Sequence, residues 1–361
     1  MSLAIGMGRY GFDAEVIGPA GWAGADKLRD HRVPFHKTWL ARRYRPWTDG
    51  AAHASISIIA RRRSLDLLHC HSTKAGVHGR LVGTRLGVPV IYTPNCFAFV
   101  GDVSPLRRLV AAALERRLGR STALIICVSE DERREALKHR VGRPDRLRVV
   151  HNGVPPCSRS VPPDSGLLRF RGDGTLVAAI AVLRKQKALD ALIDVVPQVL
   201  ERVPSARIAI VGNGPEQKAL EAHAASIGLG NEDRFAFFPF EHPIDKYLQA
   251  TDLFVVPSAW EAFPLAIVKA MSCGVPVVAS DVGGIREALT PETGVLAPPL
   301  DRVALAQALV DRLKDTQWRR AASPACRDRY ARLFGENEML AATVKLYAEV
   351  LAGGRTSVGS R

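Results

Sequence analysis

Four short stretches hold the residues able to do chemistry. SAWEAFPLAIVKAMSCGVPVVAS, at 258–280, places Glu261 three residues before Pro264 and Lys269 eight residues after Glu261. RKQK, at 184–187, supplies Arg184, Lys185 and Lys187; SDVGG, at 280–284, supplies Gly283 and Gly284; GNGPE follows at 212–216. Pro264 fixes the backbone just before a helix that starts at Leu265, and the first N–H groups and positive dipole end of that helix suit an anion. Lys187 and Arg184 add positive charge for the same anion. A phosphate would repel Glu261, so its natural task is to accept hydrogen bonds from hydroxyl groups, as on a sugar. A phosphate site and a hydroxyl acceptor on one rim describe a nucleotide-sugar. Each piece has a plainer alternative: Glu261 as a carboxylate opening a helix, GNGP as a turn. GNGPEQ fails the GxGxxG pattern, because Gln217 stands where the third glycine belongs. His69-Cys70-His71 invites a metal, but adjacent strand residues point to opposite faces, so none is expected there.

Elements that alternate must position these loops. In the second half, 208–211, 234–238, 253–256 and 275–279 read as strands, and 175–183 as a longer apolar one. Between them, 215–227, 243–250, 265–273, 285–289 and 302–314 read as helices. The first half repeats the theme, with strands at 65–70, 88–93 and 124–128 and helices at 75–86 and 106–120. Such alternation means βαβ units and parallel sheets, in which ligands bind beyond the carboxyl ends of the strands. The proline-rich VHNGVPPCSRSVPPDSG, at 150–166, reads as the connection between two domains.

At 361 residues and 47% apolar, the chain can bury two cores. No apolar run reaches membrane-spanning length, and the N-terminus shows no secretory pattern. The six cysteines are scattered without a CxxC pair, which suits a reducing cytosol and no disulfide framework. The net charge of +14 is uneven: residues 1–150 hold 26 basic and 13 acidic side chains, against 24 and 23 in the remainder. The first half is therefore expected to meet something anionic. No nucleic-acid motif accompanies that charge, so nucleic acid is not an expected partner.

The segment SAWEAFPLAIVKAMSCGVPVVASDVGGIREAL resembles the donor-site segment of the retaining glycosyltransferases of family 4, of exopolysaccharide or lipid-linked-sugar type. VGNGPEQKALE, ATDLFVVPS, ETGVLAPP, HCHSTKAGVHGRLVGTRLGVPVIYTPN, ICVSEDERREAL and VHNGV agree in order. The resemblance implies an α/β chain of GT-B architecture, two Rossmann-like domains facing a cleft. Residues 1–155 would form the basic, acceptor-side domain, 156–166 the linker and 167–335 the nucleotide-sugar domain. Residues 336–352 would form a helix crossing back to the first domain. The implied roles are Glu261 on the donor sugar hydroxyls, backbone N–H groups of Phe263 and Leu265 on sugar or diphosphate, and Lys187 on the diphosphate. Arg184, Lys269, Gly283, Gly284 and His71 complete the substrate-binding candidates, and Asn95 joins Glu261 as a catalytic candidate. No metal or other cofactor is expected. Transfer would retain the anomeric configuration.

Three departures from the family pattern stand out. A second glutamate commonly sits eight residues after the first and contacts the ribose diol; here that position is Lys269, expected at a cleft edge. Val182 replaces a basic residue five positions before Lys187, and Asn95 replaces a histidine at the end of YTPN, losing a proton-transfer option. The chain also starts late, at SLAIGMGRYGFDAEVIG, so the first domain is expected to lack its first strand.

The expected activity is transfer of a sugar from a nucleotide-diphosphate donor to an acceptor hydroxyl, in surface-polysaccharide or lipid-linked glycan synthesis. The alternatives are an impaired relative that binds without turnover and a sugar-nucleotide epimerase of the same architecture. The expected location is cytoplasmic, with peripheral attachment to an anionic membrane surface. Leu106, Val110, Leu114 and Leu118 recur at i, i+4 among Arg107, Arg108, Arg116, Arg117 and Arg120, and Arg42-Arg43-Tyr44-Arg45-Pro46-Trp47 adds a basic aromatic patch. The competing expectation is that the leucine stripe faces the core.

Overall fold

The structure, a computed structural model, describes residues 1–41 and 45–356. It divides into two compact units, Met1–His151 together with the chain from Glu336 onward, and Asn152–Gly335.

The second unit is built on one parallel sheet. Its strands are β7 (Thr175–Ile180), β8 (Ala206–Val211), β9 (Phe235–Phe238), β10 (Leu253–Val256), β11 (Val277–Ser280) and β12 (Gly294–Ala297), in the order β12-β11-β10-β7-β8-β9. The central strands read as continuous apolar runs because both faces are covered: Leu176 to Ile180 and Leu253 to Val255 are buried at every position. The helix Leu189–Arg202 packs Leu192, Ile193, Val196 and Val199 on one face of this sheet, with Leu305, Leu309 and Leu313 of the helix Arg302–Lys314 in the same core. The strand order reverses between β7 and β10. β8 leaves β7 on one side and β10 joins it on the other, which opens a crevice at the carboxyl ends of that pair.

The first unit holds a parallel sheet of β3 (Leu68–His71), β4 (Val90–Thr93), β5 (Leu124–Cys127) and β6 (Leu147–Val149), and a separate parallel pair, β1 (Val16–Pro19) with β2 (Phe35–Thr38). Among the described residues no strand joins the two sheets. The last helix, Glu336–Thr356, belongs to this unit. Leu340, Leu346 and Tyr347 pack with Met7, Ile91, Leu124 and Ile126, and the Tyr347 hydroxyl hydrogen-bonds His69 Nδ1 at 2.6 Å.

A buried ion pair ties the helices of the first unit to β4. Arg80, 1% exposed, donates to Glu115 Oε2 at 2.8 Å and to the Gly76 carbonyl at 2.8 Å, and its guanidinium lies 3.9 Å from the centre of the Tyr92 ring. The Tyr92 hydroxyl donates to the other Glu115 oxygen at 3.0 Å. Glu115 thus anchors the inner face of the helix Pro105–Gly119, with Ala112, Leu118 and Gly119 also buried. The outer face is apolar as well: Leu106, Leu109, Val110 and Leu114 are 71%, 66%, 59% and 38% exposed. The stripe read from the sequence therefore faces outward except at Leu118. Of the basic aromatic patch, Arg42, Arg43 and Tyr44 lie outside the described residues, while Arg45 is exposed and Trp47 is 89% exposed.

The cysteines require a correction. Cys157 and Cys273, 116 residues apart, form a disulfide with a Cα–Cα distance of 5.0 Å. Their spacing carried no sign of it, because the fold alone brings them together.

Removing one member of the buried pair leaves the other charged and unpartnered. Arg80→Ala is expected to cost about 3–5 kcal/mol of stability, read from the midpoint of denaturant unfolding. Replacing Arg80 by Met together with Glu115 by Leu should cost clearly less than the single change.

Candidate donor site in the second unit

The crevice beyond β7 and β10 gathers four loops. After β7 the chain passes Arg184 into a short 3-10 turn, Lys185–Lys187, and leaves it through Ala188 at φ +44, a left-handed position. After β10 it runs through Ser258 and Glu261 to Pro264, where the helix Leu265–Cys273 begins. The two loops are stitched by backbone and amide contacts: the Ala259 N–H donates to the Gln186 carbonyl at 2.9 Å, and Gln186 Nε2 to the Trp260 carbonyl at 3.0 Å. After β8, Gly212 and Gly214 pass so close to 181–183 that a Cβ on either would meet the Ala181 or Leu183 backbone at 2.1 or 2.4 Å. After β11, Gly283 at φ +50 leaves room for the Glu261 carbonyl, which a Cβ would meet at 1.7 Å. Close backbone approach therefore explains why glycine stands at these positions.

The outcome of this lacing is one ion pair. Lys187 Nζ contacts Glu261 Oε1, and the buried Ser258 hydroxyl donates to the same oxygen at 2.9 Å. The two side chains are 25% and 9% exposed, so the pair is sheltered but open to a ligand. An arriving molecule that carries both a phosphate and hydroxyl groups can exchange it without leaving a charge unpaired. Such a phosphate would take Lys187, and such hydroxyls would take Glu261. In the first turn the Ile267 and Val268 N–H groups both donate to the Pro264 carbonyl, at 3.0 and 3.2 Å, which leaves those of Leu265 and Ala266 to point out of the helix end, and Leu265 is 47% exposed. Arg184 is exposed on the same loop as Lys187. Phe263 is buried, its ring 5.6 Å from that of Phe334, which fixes the backbone between Glu261 and Leu265. Gly284 is buried behind Gly283.

Lys269 is elsewhere. It is buried, and its ammonium meets the Pro155 carbonyl at 3.1 Å, the Pro156 carbonyl at 2.9 Å and Asp245 Oδ1 at 2.9 Å. An ammonium has three N–H donors, and these three partners use them. The expected position at an edge, reaching a nucleotide hydroxyl, is corrected: the buried Asp245 carboxylate needs a counter-charge, and Lys269 supplies it.

The first unit presents its own rim. His71 ends β3 and pairs in register with Thr93, which ends β4 two residues before Asn95. Both His71 and Asn95 are exposed. Although its side chain keeps contact with solvent, the protein packed around the His71 imidazole disfavours the charged form and lowers its pKa to about 4, so it is neutral at pH 7. His69, with its ring 4.2 Å from that of His71, is held by Tyr347 Oη at Nδ1 and by Thr93 Oγ1 at Nε2 at 2.8 Å. Both ring nitrogens are thereby occupied, and Cys70 is buried. Asn95 and Cys96 both adopt positive φ, +53 and +94. Glu132, which sequence reasoning missed, holds this turn: its carboxylate accepts the N–H groups of Cys96 and Val128, each at 2.7 Å. Burial pushes its pKa up to about 7. The signal was present as a capping box, Ser129 with Glu132 three residues on. The serine does cap the Glu132 N–H at 3.0 Å, while the glutamate turns to the neighbouring loop.

Gly283→Ala should displace the Glu261 carbonyl and, with it, the carboxylate. The expected result is a second unit that still folds but has lost its phosphate-sugar affinity, checked by circular dichroism alongside calorimetry; Gly228→Ala, at a left-handed position where a Cβ would meet nothing within 4 Å, controls for positive φ alone.

Comparison with known proteins agrees with this geometry. The family model described as "Glycosyl transferases group 1" matches residues 165–329, and "Glycosyl transferase 4-like domain" matches residues 1–153. The chain is 26% identical over 281 residues to an Escherichia coli UDP-Gal:alpha-D-GlcNAc-diphosphoundecaprenol alpha-1,3-galactosyltransferase, covering 76% of this chain and 72% of that one. It is 30% identical over 326 residues to the D-inositol 3-phosphate glycosyltransferase of Thermomonospora curvata, covering 82% and 73%. It spans as little as 55% of the length of some other relatives of the latter kind. Anabaena HepE, solved with UDP and glucose, superposes with a TM-score of 0.81 at 23% identity, over 96% of this chain and 94% of that one. With two adjoining family models and a 30%-identical relative overlapped across most of its length, the chain belongs to the glycosyltransferases of family 4, which have the GT-B fold.

Proposed function

We propose that this chain transfers a sugar, with retention at the anomeric carbon, from a nucleoside-diphosphate sugar to a hydroxyl of a lipid-linked glycan acceptor. The observation that carries the reading is the meeting of Lys187 with Glu261 at the switch point of the sheet. In this reading Lys187 takes the diphosphate and stabilises the charge that develops on it as the glycosidic bond breaks. Arg184 and the first turn at Leu265 add to that field, so the diphosphate is held without a metal or any other cofactor. Glu261 accepts from the sugar hydroxyls and orients the ring, and Ser258 keeps its carboxylate in place. The relatives support the substrate class: one is named for a UDP-sugar donor and a diphosphoundecaprenol-linked acceptor, and the other for an inositol phosphate. The test is turnover with a panel of nucleoside-diphosphate sugars and lipid-diphosphate acceptors. Lys187→Ala and Glu261→Gln should each lower kcat/KM by about 100-fold or more. Wild-type rates in both variants would refute the assignment. The inward turn of Lys269 and the asparagine at position 95 favour a second reading, donor binding without transfer; tight donor binding with no turnover on any acceptor would select it.

The same reading places the enzyme on the cytoplasmic face of an anionic membrane, with the helix Pro105–Gly119 of the first unit as the contact. Leu106, Leu109, Val110 and Leu114 share one outward side, flanked by the exposed Arg107 and Arg116. Burying such side chains yields about 1.5–3 kcal/mol each, and each basic residue near an anionic surface adds about 1 kcal/mol. Flotation with vesicles rich in phosphatidylglycerol should recover the protein at low salt and release much of it at high salt. Replacing Leu106, Leu109 and Val110 together by Ser should abolish recovery. Absence of wild-type protein from the floated vesicles at low salt would remove the membrane contact.

A further inference from the structure

The contacts that draw Lys269 inward belong to a larger tie. Residues 155–158 are fastened to the helix Leu265–Cys273 by the two carbonyls bound to Lys269 and by the Cys157–Cys273 disulfide, and the Ser158 N–H donates to Asp245 at 2.7 Å. We propose that Cys157 and Cys273 form a reversible thiol–disulfide modification site, whose closure clamps this segment onto the helix that begins beside Glu261. The proposal does not depend on the donor assignment.

Access and preorganisation argue for it. Cys157 and Cys273 are half-buried residues, as is Cys96, whereas Cys70, Cys127 and Cys326 are buried. Burial also pushes the Cys70 and Cys326 thiols up to about 12, which keeps them inert. Lys269 and Asp245 hold the segment in place by contacts that do not involve sulfur, so opened thiols remain adjacent and can close again. Opening requires a dithiol reductant. One of its thiolates attacks a cysteine sulfur, breaks the S–S bond and forms a mixed disulfide, expelling the other cysteine as thiolate. The second thiol of the reductant resolves the mixed disulfide. The reductant leaves oxidised, and two electrons and two protons remain on Cys157 and Cys273. Asp245 Oδ lies within 4.8 Å of both sulfurs, a possible third metal ligand, but it is already paired with the Lys269 ammonium, whose charge opposes a cation there.

The whole protein is equilibrated with oxidised glutathione, or with dithiothreitol, then unfolded and labelled with a maleimide. Four of its six cysteines should label in the first case and six in the second, with 157 and 273 recovered as the linked pair. Amide exchange at 152–158 and 265–274 should be about tenfold slower in the oxidised form. That difference should vanish in a Cys157→Ser/Cys273→Ser double variant. Six labels in both states, glutathione adducts in place of the bond, or equal exchange in both states would overturn the proposal. So would two thiols shielded by a stoichiometric metal and exposed by a chelator.

Discussion

The contact between Lys187 and Glu261 is the constraint on which the second unit is organised. The two residues are 74 positions apart in the chain and meet because the sheet changes direction between β7 and β10. Neither charge would be sheltered alone, since a half-buried ammonium or carboxylate without a partner costs more than the pair. The buried Ser258 hydroxyl and the glycine that admits the Glu261 carbonyl exist on this account to hold one carboxylate at one place. On the proposed reading a phosphate and a hydroxyl together separate this pair, because both halves then find new partners at once.

The supporting structure follows from what that pair needs. Apolar runs covered on both faces make the sheet rigid, so the loops beyond it are held from below. Small residues at loop crossings let backbones approach within van der Waals limits, and Gly212, Gly214 and Gly283 mark three such crossings. In the first unit the same role falls to buried polar groups: Arg80, Tyr92 and Glu115 lock helices to β4, and Glu132 holds two consecutive left-handed residues after it. The exposed Pro105–Gly119 stripe is the counterpart of this anchoring. Glu115 fixes the inner side of that helix, which obliges Leu106, Leu109 and Leu114 to face outward.

Much of this was legible in the amino-acid order. The helices at 265–273 and 302–314 and the strand at 253–256 stand where periodicity placed them. Glu261, Lys187 and Gly283 share one rim because strand ends in a parallel sheet must. Helices with an interior proline, Leu189–Arg202 with Pro197 and Thr316–Leu333 with Pro324, escaped notice, since proline normally breaks the pattern by which a helix is recognised. Lys269 was misplaced for a different reason. Its position along the helix was clear, but its partners come from residues 155, 156 and 245, and no local pattern links those to it. The disulfide and the Glu132 turn share that character, being contacts between segments that only the tertiary fold brings together.

The account stands or falls on whether Lys187 and Glu261 act as one exchangeable pair. A double-mutant cycle with Lys187→Met and Glu261→Gln, followed by thermal unfolding with and without a nucleoside-diphosphate sugar, measures this directly. A coupling between the two positions in the free protein that changes on donor binding, with donor stabilisation lost in each single variant, is the predicted result. Additive effects in both conditions, with donor stabilisation unaltered, would contradict it.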